Sequence, residues 1–397
     1  MNAVRHGAVI LGRSLGWVLL IGAAPLSAAN LAFVTSTEGD GILGTWPEAG
    51  GNTGLAAGDA ICLARATAAN LPNPESFVAW LSTTDDDAYC RVHGLTGKRT
   101  DNCGQPTLPT FAGPWQRTDG TPFMGKLDQT GAVYTPLNRD EFNGAANALV
   151  VWTGTGLYGT ANTRNCGNWV ADTDVDIGHT YATSPGWTEY PGYTFCSGHS
   201  GHLMCLQKGA GAALQVPVPS GHKQAFLTSL RFTGNLGAAV QASGNTGLAA
   251  GDAICRNLAQ SANLRDSQSF KVYLADETNP ATRFQNGGPW DRVDGIRFAD
   301  SFVQIASGYV TAPLNVTETG AFKGFPNFYA WTGMQNGVPG FAHCSHWTMS
   351  LGFGWSAWLD GIGPNWPPTY PEPSDCSGGN SLLCLSDADL IFQNGLQ

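Results

Sequence analysis

An α+β fold, built twice in tandem, is what this chain of 397 residues predicts. Three observations carry that expectation. The twelve residues from Gly51 to Cys62 recur unchanged as Gly244 to Cys255. Each repeat contains one early helical period, followed by short β-prone runs between loops rich in Gly, Asn and Pro. All ten cysteines lie downstream of an apolar leader, and most fall at matching places in the two repeats.

The leader comes first. Arg5 and Arg13 precede an apolar run, Leu15 to Gly22, and the small residues of Ala23 to Ala29 follow it. That order is the pattern of a secretory signal peptide over 1–29, and its apolar centre is too short to span a bilayer. Its sequence therefore predicts export, to the periplasm, the cell surface or the medium, with no transmembrane segment in the mature chain.

The repeat sets the organisation. Ala32-Phe-Val-Thr-Ser36 matches Ala225-Phe-Leu-Thr-Ser229, and Gly113-Pro-Trp-Gln-Arg-Thr-Asp-Gly120 matches Gly288-Pro-Trp-Asp-Arg-Val-Asp-Gly295. Pro136-Leu-Asn138 matches Pro313-Leu-Asn315, Trp152-Thr-Gly154 matches Trp331-Thr-Gly333, and Cys166-Gly-Asn-Trp169 matches Cys344-Ser-His-Trp347. The predicted units are 30–208 and 224–388, joined by a Gly-, Ala-, Pro- and Ser-containing linker at 209–223 and followed by a tail at 389–397. Within each unit, the segment from Ala57 to Ala69 (and its repeat) places Cys62, Ala66 and Ala69 on one helical face, and Asn70 and Asn263 are its expected stops. Phe77 to Leu81 and Phe270 to Leu274 alternate as half-buried strands do.

Export makes disulfides the expected state of the cysteines, and zinc would need closely spaced pairs such as C-x-x-C, which are absent. Four positions are shared: Cys62 with Cys255, Cys166 with Cys344, Cys196 with Cys376, and Cys205 with Cys384. Three pairings per copy remain open for these. Cys90 and Cys103 sit in a segment present only in copy one, so they are expected to bond to each other.

The net charge of −10 comes without any basic run, which argues against nucleic-acid and heparin-type partners, since both need clustered Lys and Arg. No catalytic constellation stands out. Gly12-Arg-Ser-Leu-Gly16 falls within the leader, and Cys196-Ser-Gly-His-Ser-Gly201 becomes Cys376-Ser-Gly-Gly-Asn in copy two, losing its histidine. A non-enzyme is the expectation.

At this point the residues carry a resemblance. Gly-Asp-Ala-Ile-Cys on a helix, Phe-x-x-(Trp or Tyr)-Leu, Trp-x-Gly, Cys-x-x-Trp and a closing pair of cysteines are similar to endostatin, a collagen domain with a C-type-lectin-like fold. They resemble more closely a family of bacterial exported domains of unknown function sharing this pattern. The resemblance covers 30–207 and 223–388. It implies two tandem C-type-lectin-like domains with pairings Cys62–Cys205, Cys166–Cys196, Cys255–Cys384 and Cys344–Cys376. The arginine clusters and N-terminal histidines of endostatin have no counterpart here, and Pro136-Leu-Asn138 and Asn168-Trp-Val170 only echo the sugar-binding triplets of calcium-dependent lectins. What the resemblance implies is an exported binding protein that recognises a glycan or extracellular protein through loops of both domains. The alternative is a structural or envelope-associated module, with an exported hydrolase last.

Candidate contact residues follow. Trp355, Trp358 and Trp366 are expected in a long copy-two loop as a ligand-contacting patch or as cover for the loop's own core. The recurring tryptophans (Trp115 with Trp290, Trp152 with Trp331, Trp169 with Trp347) are expected in the core. Asp172, Asp174 and Asp176 alternate in a loop and are the best candidates for calcium, although the spacing is not that of an EF-hand and a solvated acidic loop is favoured. Asp85-Asp-Asp87 is a weaker candidate. His343 with His346, and His199 with His202, could hold a transition metal, but no acidic third ligand lies nearby in sequence, and exposed loop histidines are favoured.

Overall fold

The computed structural model describes residues 29–125, 133–146, 150–183, 185–190, 192–214, 223–285, 287–324, 329–359, 361–363 and 372–388. Residues 1–28 of the leader, the linker residues 215–222, the tail at 389–397 and Trp366 lie outside these. Among the described residues, no helix is long and apolar enough to cross a membrane.

In the first half the strands are β1 (Asn30–Val34), β2 (Phe77–Ala79), β3 (Trp115–Arg117), β4 (Pro122–Met124), β5 (Val151–Trp152), β6 (Asp174–Gly178), β7 (Tyr193–Phe195) and β8 (Met204–Gln207). They form a five-stranded sheet ordered β2-β8-β1-β3-β4 and a three-stranded sheet ordered β5-β6-β7. The second half contributes β9 (Lys223–Leu227), β10 (Phe270–Val272), β11 (Trp290–Arg292), β12 (Arg297–Ala299), β13 (Tyr329–Trp331), β14 (Met334–Gln335), β15 (Val338–Pro339), β16 (Phe353–Trp358), β17 (Glu372–Asp375) and β18 (Ser381–Ser386). Its main sheet runs β12-β11-β9-β18-β13-β16-β17, with β10 also on β18. The strand plan is therefore the same in both halves. One junction differs: β13 pairs in parallel with β18, whereas the first half reduces this to a single bridge between Val151 and His202. With few helices and several small sheets, the architecture is mixed α+β.

The twelve-residue repeat becomes helix Gly54–Ala68 and helix Gly247–Ser261, beginning a turn before the expected Ala57. Asn70 and Asn263 follow with left-handed φ of 54° and 55°, as helix stops do. A side chain in place of Gly58 or Gly251 would come within 2.8 Å of Leu81 or 2.6 Å of Val272, so glycine lets the helix sit directly on the strand. The repeated aspartate ties the same pieces. Asp59 accepts the Ala79 amide at 3.0 Å and faces Arg91 at 2.5 Å; Asp252 accepts the Val272 amide at 3.0 Å and faces Arg283 at 2.5 Å.

The expected half-buried strand at 77–81 is buried on both sides. Phe77, Ala79 and Leu81 feed one apolar cluster with the helix, while Val78 and Trp80 feed another with Trp115 and Trp187. All six recurring tryptophans are fully buried, as their recurrence predicts. The expected linker is also shorter at its ends. Gly209 and Gly211 hydrogen-bond to Gly113, and Lys223 already opens β9.

All ten cysteines are paired: Cys62–Cys205, Cys90–Cys103, Cys166–Cys196, Cys255–Cys384 and Cys344–Cys376. Five bridges with no free thiol fit an oxidising, extracytoplasmic setting.

The repeated Arg-x-Asp-Gly and Pro-Leu-Asn motifs meet in the core. Arg117 donates to Asp119, to Asn138 and to the Pro136 carbonyl. Burial alone would raise the Asp119 carboxyl, yet the Arg117 guanidinium beside it outweighs this and holds it at about 2. Arg292 repeats the arrangement with Asp294, Asn315 and Pro313, and adds a 2.7 Å bond to the carbonyl of Tyr134 in the other half. Asn315 reaches the Val133 carbonyl at 3.2 Å, and the Ile362 amide bonds to the Tyr181 carbonyl at 2.9 Å. The two halves are thus docked through buried polar contacts.

Candidate functional site

Both copies share an unusual backbone feature beside their surface loops. The four residues Cys166–Trp169, and again Cys344–Trp347, all have left-handed φ, between 54° and 69° in the first and between 49° and 61° in the second. A left-handed turn of non-glycine residues is costly, on the order of 1 kcal/mol per residue, and needs support from its surroundings. The disulfides to Cys196 and Cys376 supply part of it. So do the buried indoles, with Trp169 Nε1 donating to the Ser82 carbonyl and Trp347 Nε1 to that of Ala275. The residue preceding each turn caps it: Asn165 accepts the Asn168 amide at 2.9 Å, and His343 Nδ1 accepts the His346 amide at 2.8 Å.

In copy one, Arg164, two residues before this turn, enters an open cleft of about 490 Å³ that is lined also by Leu157, Asp176, Pro185, Glu189, Tyr190 and Gly192. Each charged side chain comes from a separate segment. Asp176 lies on β6, 3.2 Å from Arg164 just before the turn, and Glu189 arrives from the loop after β6. Burial raises the Asp176 carboxyl, Arg164 opposes that, and Glu189 adds to it. Glu189 is held by the Leu157 amide at 2.7 Å. Arg164 lies 4.0 Å over the ring of Tyr193, which is 55% exposed, and Phe195 on the same strand is 59% exposed. Carboxylates, a guanidinium and Tyr190 in the cleft, with the exposed Tyr193 face beneath Arg164, offer acceptors, a donor fork and apolar platforms to a polyhydroxylated ligand.

Behind the cleft, His179 stacks on Tyr190 at 3.6 Å, and its Nδ1 has no hydrogen-bond partner among the described residues. Burial lowers its pKa to about 4 from an ordinary 6.5. The unfolded chain therefore takes up a proton first as pH falls, so stability present above pH 6.5 is lost progressively down to about pH 4. This loss is expected to be on the order of 2 kcal/mol for His179, after allowing for solvent screening. His93, also lowered chiefly by burial, acts in the same direction. Thermal melts of His179→Phe across this range should show a flatter pH dependence than the parent chain; identical slopes would rule the effect out.

The aspartates expected in an acidic loop, with calcium as the candidate ligand, are partly strand instead. Asp174 and Asp176 lie in β6, where pairing with β5 and β7 fixes them. Asp172 is taken by the amide and hydroxyl of Ser197, at 3.0 and 2.6 Å. The three carboxylates do not form a ligand cluster among the described residues. Asp85-Asp-Asp87 likewise disperses, with Asp86 and Asp87 accepting the Gly97 and Arg99 amides.

The loop placement of two of the tryptophans is also corrected. Trp355 and Trp358 lie in β16, paired with both β13 and β17, and not in a loop. Phe353-Gly-Trp-Ser-Ala-Trp358 pairs well as a strand despite its glycine, and Trp355 is buried to 9% exposure against Gly340 and Phe341. Trp355 is thus a packing residue.

His343 and His346, in contrast, come together with Glu277. The glutamate Oε1 lies 3.8 Å from His343 Nε2 and 3.7 Å from His346 Nε2. Sequence spacing could not reveal this acidic partner, because the fold brings it from the far end of the strand segment that begins at Phe270. His202 lies 3.5 Å from Glu38 and bonds to the Thr35 carbonyl at 2.6 Å, and among the described residues neither it nor His199 belongs to a group of three possible metal ligands.

No protein-family model matches the chain, and no curated protein matches it either.

Proposed function

We propose that this is an exported, non-enzymatic binding protein of two C-type-lectin-like units, and that its copy-one cleft holds a glycan. The observation that carries the reading is the convergence of Arg164, Asp176 and Glu189 beside Tyr190 and Tyr193. Paired carboxylates accept hydrogen bonds from adjacent hydroxyls, the guanidinium donates, and the tyrosine faces cover the apolar side of a sugar ring. No calcium is required by this arrangement, since the carboxylates are engaged by Arg164 and by the Leu157 amide.

A glycan array probed with the mature chain tests the proposal, with and without calcium. A retained sugar is expected, with binding weakened by about tenfold or more in Asp176→Asn and in Tyr193→Ala. No retained glycan, or retention unchanged in both variants, would refute it. A second reading has its own support. The buried contacts of Arg292 and Asn315 fix one half against the other, which suits a structural or envelope-associated module whose duplication sets a spacing.

A further inference from the structure

We infer that copy two carries a binding site for a divalent transition-metal ion, formed by Glu277, His343 and His346. This site is independent of the copy-one cleft. The argument rests on geometry and on an internal comparison that the duplication supplies.

Imidazole nitrogen and carboxylate oxygen together suit zinc and its neighbours in the first transition row. With metal–ligand distances of about 2.0–2.1 Å, tetrahedral donors sit roughly 3.3 Å apart. Here the Glu277 oxygen is 3.7 and 3.8 Å from the two imidazole nitrogens, and all three ligand atoms lie within 4.8 Å of one another. The glutamate oxygen needs to move only a few tenths of an ångström toward each ring, and side-chain rotation of these partly exposed residues closes what remains between the rings. With Nε2 of His346 facing Glu277, its Nδ1 lies 4.0 Å from Asp276 Oδ2, which makes Asp276 a neighbouring carboxylate outside hydrogen-bond reach. The backbone is rigid where it matters, because His346 lies on the left-handed turn, His343 caps it, and the half-cystine Cys344 sits between them.

Copy one shows what the same scaffold does without this chemistry. There the three positions are Thr84, Asn165 and Asn168, and they form a neutral network. Asn168 Oδ1 accepts from the Thr84 amide and hydroxyl, and Asn165 caps the turn. All three positions have changed in copy two, each to a residue type that ligates transition metals.

One contact sets the terms of binding. His343 Nδ1 accepts the His346 amide, so the proton of the metal-free ring sits on Nε2. Binding through Nε2 moves that proton to Nδ1 and gives up the cap hydrogen bond. The expected site is therefore weaker than a fully preorganised one, and open to water at its fourth position.

The test uses the untagged mature chain, freed of metal by a chelator and titrated calorimetrically with Zn²⁺, with Co²⁺ absorption as a second readout. One ion per chain is expected. His346→Asn and Glu277→Thr install the residues that copy one already accommodates, so they should fold, and each should weaken Zn²⁺ binding by at least about tenfold. His202→Gln should have no effect. Failure to bind Zn²⁺, binding untouched by His346→Asn and Glu277→Thr, or an equal loss in His202→Gln would overturn the site.

Discussion

Replacing Arg292 with alanine is expected to destabilise the chain by about 3–5 kcal/mol, the range for removing one partner of a buried ion pair. Arg292 is fully buried, and its guanidinium bonds to Asp294, Asn315, the Pro313 carbonyl and the Tyr134 carbonyl. Truncation leaves Asp294 without its counter-charge and three acceptors without a donor, each in a place water reaches poorly. Because one of those acceptors belongs to the other half, the substitution also loosens the docking. Urea denaturation should show a lower midpoint, and the two halves should unfold at more widely separated midpoints than in the parent. Arg117→Ala is the comparison: its described partners Asp119, Asn138 and Pro136 all lie within the first half, so it should destabilise that half without separating the transitions. A change below about 1 kcal/mol for Arg292→Ala would contradict the account.

Removing the helix-to-strand bridge Cys62–Cys205, as the double alanine variant, is expected to be the most damaging disulfide loss in the first half. The bridge closes a separation of 143 residues, against 13 for Cys90–Cys103. Loop-closure entropy in the unfolded chain gives about 5 kcal/mol for the first and about 3 kcal/mol for the second. Both cysteines of the longer bridge are fully buried between helix Gly54–Ala68 and β8, so truncation also removes packing. Midpoints from guanidinium unfolding of the two double variants should fall in that order. The reverse order would mean that the inserted loop, and not the helix, anchors the unit.

Much of the fold was legible because it was written twice. Repeated residues at matched spacing identified the helix, its asparagine stops, the buried tryptophans and the partition of the cysteines, all of which depend on local period or on paired chemistry. The copy-one insertion announced its own bridge for the same reason. Less legible was the fate of Trp355 and Trp358. A glycine beside aromatics reads as a loop, yet β16 has neighbours on both edges, and sheet pairing overrides weak local preference. Asp174 and Asp176 were misplaced in the same way, since alternating carboxylates fit a strand edge as well as a cation loop.

By itself, the sequence determined the duplication, the α+β class, the oxidised cysteines and the lack of any basic run, because composition and short-range period act within a few residues. The tertiary structure alone decided which charges meet. Glu277 reaches His343 and His346, Arg164 and Glu189 both reach Asp176, and Arg292 reaches Tyr134 across the two halves. These encounters join residues far apart in the chain, and only strand order and register bring their side chains within the few ångströms over which hydrogen bonds and coordination act.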